Sequence, residues 1–215
     1  MQSHVTVSPM KKIAPSKEET ALLPPFTGLA IDRIFVPATA AEFAAARDAI
    51  LDAAMVGFDT ESKPTFKAGD VSEGPHVVQF ALPTKAYIFQ LHRPDALACL
   101  APVLASEDVL KVGFGLQSDH AQVHAKLGLR MQGVIDLNQN FRRMGYGSSM
   151  GVRAAVGVML QQYFHKSKKI TTTNWALPHL SERQLLYAAN DAYAALKVMD
   201  ALVLLDLPGG DAHLD

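Results

Sequence analysis

Asp59 and Glu61 close the run Met55-Val56-Gly57-Phe58-Asp59-Thr60-Glu61. Met55, Val56 and Phe58 suit a pleated, covered surface, so the run reads as a short buried strand. Residues two apart on a strand share a face, which sets the two carboxylates side by side at its end. Like charges placed there repel. A divalent cation removes that repulsion, because hard cations take carboxylate oxygens as ligands. The plainer alternative is a strand end carrying two solvated acids.

Three more acids bear comparison. Asp119 falls in the first turn of a helix, where an acid complements the helix dipole. Asp136 ends a short strand and could cap the turn that follows. Asp191 lies within a helix among Leu186, Tyr187, Ala188 and Ala189. A carboxylate in such apolar company needs a partner or takes up a proton. Tyr187 precedes it at the i, i+4 spacing, so phenol and carboxylate project from one helix face.

Positioning these groups requires a sheet. Residues 1–29 carry Ser, Pro, Lys and Glu with no sustained period, and Pro24-Pro25 breaks any regular element, which predicts a tail partly disordered or draped over the domain. A strand is expected over 31–36. Thr39 followed by Glu42 has capping-box spacing and opens a helix to residue 54. Residues 62–75 read as a loop with Lys63 and Lys67. The apolar runs 77–82 and 86–91, joined by Pro83-Thr84-Lys85, predict an antiparallel hairpin. Next come a helix over 94–104, turning Leu97, Leu100 and Leu104 inward, a buried strand over 109–114 and a helix over 116–127. A short strand over 134–137 and a helix over 150–164 follow. Ser181, with Gln184 at the box position, caps a last helix running to 205. A hairpin followed by helix-separated strands predicts an α/β fold, a mixed sheet flanked by helices on both faces. Ligands of such sheets gather beyond strand ends near the reversal of strand order, and Glu61 lies at such an end.

Composition narrows the function classes. Of 215 residues, 49% are hydrophobic and 19% charged, as in a globular chain with a sizeable core. The formal net charge of -1 excludes a protein that coats nucleic acid by bulk charge, so any such contact must be local. Cys99 is the single cysteine, which rules out an intrachain disulfide and a cysteine zinc site, and it reads as a small buried hydrophobe. No apolar run approaches the roughly 18 residues of a membrane span. Lys11, Lys12 and Lys17 interrupt any secretory-signal order, so a cytoplasmic location is expected.

Three ordered motifs resemble the DEDD superfamily of 3′-5′ exonucleases, in the DEDDy branch that includes ribonuclease D. They look closest to the Werner-syndrome-type exonuclease domain. The first is Asp59-Thr60-Glu61 after its strand. The second is Lys111-Val112-Gly113-Phe114-Gly115-Leu116-Gln117-Ser118-Asp119. The third is Tyr187-Ala188-Ala189-Asn190-Asp191-Ala192-Tyr193. Thr173-Asn174-Trp175, Leu180-Ser181 and the lysine end of the 151–166 segment also match. Ser62 and His120, next to the first two motifs, depart from the pattern without removing an acid. The resemblance implies a ribonuclease-H-like domain over 30–207, with tails at 1–29 and 208–215. No helicase or accessory nucleic-acid-binding domain is expected after residue 205.

It further implies a metal-dependent exonuclease that removes nucleotides from the 3′ end of DNA or RNA. Asp59, Glu61 and Asp191 would hold one Mg²⁺ or Mn²⁺. Asp59 would bridge to a second ion, with Asp119 helping through bound water. Such ion pairs clamp the attacking and leaving oxygens of an in-line displacement. Tyr187 and Glu61 would orient the attacking water. Lys166, Lys168 and Lys169 form the clearest basic cluster, either on the phosphate backbone or in a solvated loop. Trp175 is either a wall beside the substrate strand or core packing. A catalytically weak module that grips nucleic-acid ends is the competing reading.

Overall fold

The computed structural model describes residues 11–65, 69, 72–147 and 150–205. Lys67, the first ten residues and the expected tail over 208–215 lie outside the described residues. The strands are β1 (Ile34–Phe35), β2 (Met55–Glu61), β3 (Val77–Ala81), β4 (Ala86–Gln90), β5 (Leu110–Gly113) and β6 (Val134–Asp136). The helices are α1 (Lys17–Thr20), α2 (Ala40–Leu51), α3 (Asp95–Ala105), α4 (Leu116–Leu127), α5 (Leu137–Arg143), α6 (Gly151–Leu160), α7 (Lys168–Thr171) and α8 (Glu182–Leu205).

The strands form one sheet in the order β1-β4-β3-β2-β5-β6. β3 pairs antiparallel with β2 and β4, whereas β2–β5, β5–β6 and β1–β4 are parallel. The strand that ends in the two acids is therefore central, beside the point where the strand direction reverses. Alternation along each strand divides the core. Phe58, Val78, Phe80 and Phe89 face Phe43 and Ile50 of α2 and Leu100 and Leu104 of α3. Val77, Ala81, Ala86 and Ile88 face Ala188, Ala189 and Ala192 of α8. Farther along α8, Ala194, Ala195 and Val198 pack on Ala155 and Val156 of α6.

Small residues bring α8 close to β2. A Cβ on Gly57 would collide with the backbone carbonyl of Ala192, so this crossing needs glycine. That approach carries Asp191 to the end of β2. The α/β mixed sheet, the hairpin and the long last helix are as expected. Thr39 and Glu42 form the capping box of α2, and Ser181 accepts from Gln184 N at 3.4 Å at the head of α8.

Several boundaries differ. Residues 31–36 hold a 3₁₀ turn over Ile31–Arg33 and only two strand residues, at a sheet edge. The helix expected over 150–164 stops at Leu160, because Gln161 adopts left-handed φ of 52°. The strand expected to include Leu137 ends one residue earlier, where Asp136 caps α5. Leu97 is 46% exposed, since the inward stripe of α3 is centred on Ala96, Leu100 and Val103. In the N-terminal segment, Ser16 and Glu19 form a capping box on α1, and Thr20 is buried next to Gly157 of α6.

Candidate active site

β2 alternates, so Asp59 and Glu61 point with Gly57 toward α8. One ligand oxygen from each of Asp59, Glu61 and Asp191 lies within 4.8 Å of the others. Glu61 and Asp191 are 8% and 4% exposed. Asp191 Oδ1 has no hydrogen-bond partner among the described residues. Burial, and then repulsion from Asp191 and Asp119, pushes the Asp59 carboxyl well above the usual range. Burial with Asp59 and Asp191 nearby pushes Glu61 up to about 10. Clustered buried acids with an orphaned oxygen and only oxygen donors fit a hard divalent ion.

Asp119 comes from the other side of the sheet. Thr60, between the two acids, points away from them, and its hydroxyl donates to Asp119 Oδ1. Ser118 Oγ donates to Asp119 Oδ2 at 3.4 Å. Asp119 thus stands outside the tight triple, yet its charge reaches Asp59. Its helix is aimed by a tight turn at Gly115, whose φ is 68°. Asp136 fixes that turn, accepting from Gly115 N at 3.0 Å, Leu116 N at 3.2 Å and Asn138 N at 3.0 Å. One carboxylate therefore caps both α4 and α5.

Tyr187 stands one helical turn before Asp191. Its hydroxyl lies 2.8 Å from Thr171 Oγ1, on the side that faces Asp191. Burial and the charge of Asp191 raise the phenol above its ordinary range, which keeps it protonated. Trp175 is 1% exposed, its ring 5.9 Å from that of Tyr187, and its indole N–H donates to Thr171 O at 3.3 Å. Burial rules out the wall beside a substrate strand and leaves packing: Trp175 supports Tyr187 from behind.

Of the three lysines, Lys168 and Lys169 are exposed on α7. Lys166 turns inward, with Nζ 2.7 Å from Asp191 Oδ2 and 5.6 Å from the centre of the Tyr187 ring. Burial opposes its charge, but Asp191 and Asp59 hold its pKa above the ordinary lysine value. Asp59, Lys166 and Asp191 line a hollow of about 230 Å³ with Phe58, Gly115 and Asn138. Of the residues expected at the site, Asp59, Asp191 and Lys166 line this hollow, and Glu61 joins Asp59 and Asp191 in the acid cluster; sequence reasoning missed Thr60, Thr171 and the inward course of Lys166. Thr60 carried a signal, since the residue between two same-face acids must face the opposite way. Thr171 and Lys166 carried none, because their positions depend on the backbone turn at Gln161.

Residues 34–205 match the model of the 3′-5′ exonuclease family. A 3′-5′ exonuclease of Arabidopsis thaliana is 29% identical over 160 residues, covering 72% of this chain and 54% of that protein. The bifunctional 3′-5′ exonuclease/ATP-dependent helicase WRN of Mus musculus is 27% identical over 156 residues, covering 70% of this chain and 11% of that protein. The chain thus spans about half of the first relative and about a tenth of the second. Among solved structures, the EXO domain of Aedes aegypti Nibbler superposes with a TM-score of 0.69 at 24% identity, over 83% of this chain and 93% of that one. The expected resemblance and the ribonuclease-H-like fold are borne out.

Proposed function

The chain belongs to the 3′-5′ exonuclease family, and on that premise we propose that it hydrolyses the last phosphodiester bond at the 3′ end of a nucleic-acid strand. The observation that carries the reading is the meeting of Asp59, Glu61 and Asp191 beside Tyr187. Asp59, Glu61 and Asp191 would hold one divalent ion, Mg²⁺ or Mn²⁺, and Asp59 with Asp119 a second. Ions bound there supply positive charge for the phosphate oxygens and acidify a bound water.

The chain's own groups do the positioning. Tyr187, kept protonated, donates a hydrogen bond and does not act as a base. With Glu61 it orients the water whose oxygen attacks phosphorus. The bond from phosphorus to the 3′ oxygen of the preceding nucleotide then breaks, that oxygen takes a proton, and a 5′-mononucleotide leaves. Asp136 acts at a distance by holding the turn that aims Asp119. Lys168 and Lys169 stand exposed beside the site, where they meet the phosphate backbone.

Digestion of matched 5′-labelled DNA and RNA strands, with Mg²⁺, Mn²⁺ or chelator, tests the reading. It expects mononucleotides shed from the 3′ end only with metal. Cleavage in excess chelator, internal cuts in a circular strand, or strand binding without any product would overturn it.

A further inference from the structure

A second hollow, of about 590 Å³, lies against Tyr187. Its volume falls within the range of about 300–1,000 Å³ usual for ligand pockets. Phe26, Phe164, Ile170, Leu186 and Tyr187 give it an apolar and aromatic lining. Lys169 and Arg183 also line it, and both are exposed. Part of the wall comes from the N-terminal segment, which precedes the residues matched by the family model.

That segment is fastened to the catalytic elements. Phe26 N donates to Tyr163 O at 2.9 Å, and Tyr163 N donates to Pro24 O at 2.7 Å. Asn190, the neighbour of Asp191, accepts from Leu29 N at 2.6 Å and donates to Leu29 O at 3.2 Å. The ring of Phe26 meets Phe164 edge-on at 5.5 Å. The wall is therefore held at fixed positions on the helix that carries Tyr187 and Asp191 and on the loop that carries Lys166.

We propose that this arm-walled hollow is a base-binding subsite, which takes one of the last two nucleobases of the substrate strand. The inference rests on the exonuclease reading. Three features select this occupant. The pocket shares the Tyr187 side chain with the acid cluster, so its occupant adjoins the reacting phosphate. Aromatic and aliphatic walls suit a flat π-face, the sequence-tolerant way to hold single-stranded bases. Lys169 and Arg183 place cations where the linking phosphates must pass, although the whole chain is slightly acidic.

Short strands with 2-aminopurine at the last, second-last or an internal position test this, read by stopped-flow fluorescence before turnover. Wild type should quench one of the last two positions far more than the internal one. Phe26→Ala should abolish that difference and raise KM on the order of tenfold, with kcat within about twofold. Ile170→Ala, on the opposite wall, should act in the same direction, and thermal melts identify a variant that fails to fold. If wild type cuts strands but both folded variants keep wild-type KM and quenching, the subsite is refuted and the exonuclease reading stands. If wild type cuts no strand at all, the exonuclease reading itself has failed.

Discussion

Lys166 Nζ lies 2.7 Å from Asp191 Oδ2, which gives the acid cluster an internal cation among the described residues. Asp59, Glu61 and Asp191 are mutually repulsive without positive charge among them. Lys166→Met removes that charge and leaves Asp191 buried without its counter-ion. The lysine side chain is 39% exposed, so solvent screens part of the effect. A loss of about 1–2 kcal/mol in chelator is expected. Added Mn²⁺ should raise the melting temperature of the variant more than that of wild type, because the ion then replaces a missing cation. Equal melting temperatures in chelator would show that the pair contributes nothing.

Asp59→Asn should act with opposite signs on stability and activity. The amide keeps the shape of the side chain and removes one of the repelling charges, so the metal-free protein should melt at the same temperature or higher. Hydrolysis should fall to background, because a neutral amide is a poor partner for a divalent ion. Metal should no longer raise the melting temperature, since only an ion bound to the folded state stabilises it. A variant that is destabilised in chelator would contradict the view that function, rather than folding, keeps this carboxylate.

The acids were legible because their geometry is local. A period of two placed Asp59 and Glu61 on one face of β2, and a period of four stacked Tyr187 on Asp191. What could not be read depends on contacts distant in sequence. Asn190 grips Leu29 from 161 residues away, and no pattern in either segment announces it. Helix α5 was missed because it is only seven residues long and follows a strand without a break. The apolar period in 150–164 continues past Leu160, but the chain leaves the helix at Gln161, and Lys166, in the segment beyond that turn, reaches Asp191.

Lys111 predicts a pH signature separate from the acids. It lies fully buried on β5, where its ammonium donates to Val103 O at 3.2 Å and Ser106 O at 2.6 Å at the end of α3. Burial pushes its pKa down to about 8 from 10.5. Between those values the unfolded chain binds more protons than the folded one, so this group adds stability as pH rises. Its penalty is complete below pH 8 and relieved toward 10.5. The slope reaches at most about 1.4 kcal/mol per pH unit. Lys111→Met should be less stable by about 1–3 kcal/mol at neutral pH, because both carbonyls lose their donor. Denaturant midpoints from pH 7 to 10.5 should show wild type gaining on the variant as pH rises. A gap that stays constant would mean that Lys111 titrates alike in both states.

Tyr187 and Thr171 separate water positioning from packing. Tyr187→Phe deletes one hydroxyl, while the ring keeps its place against Trp175, so stability and metal-induced stabilisation should change little. The hydroxyl that orients the water is gone, and such a loss of positioning costs about 10²-fold in single-turnover rate. Thr171→Val is nearly isosteric and removes only the partner 2.8 Å from that hydroxyl. The ring keeps its place against Trp175, but the hydroxyl loses its anchor and gains freedom to rotate. A smaller fall, about 3- to 10-fold, is therefore expected, again with substrate and metal affinity retained. In the Tyr187→Phe background, Thr171→Val should add almost nothing, since the hydroxyl that it positions is absent. Additive effects of the two substitutions would show that Thr171 acts on the reaction by some route other than Tyr187. A wild-type rate for Tyr187→Phe would reduce the phenol to packing and leave the orientation of water to Glu61.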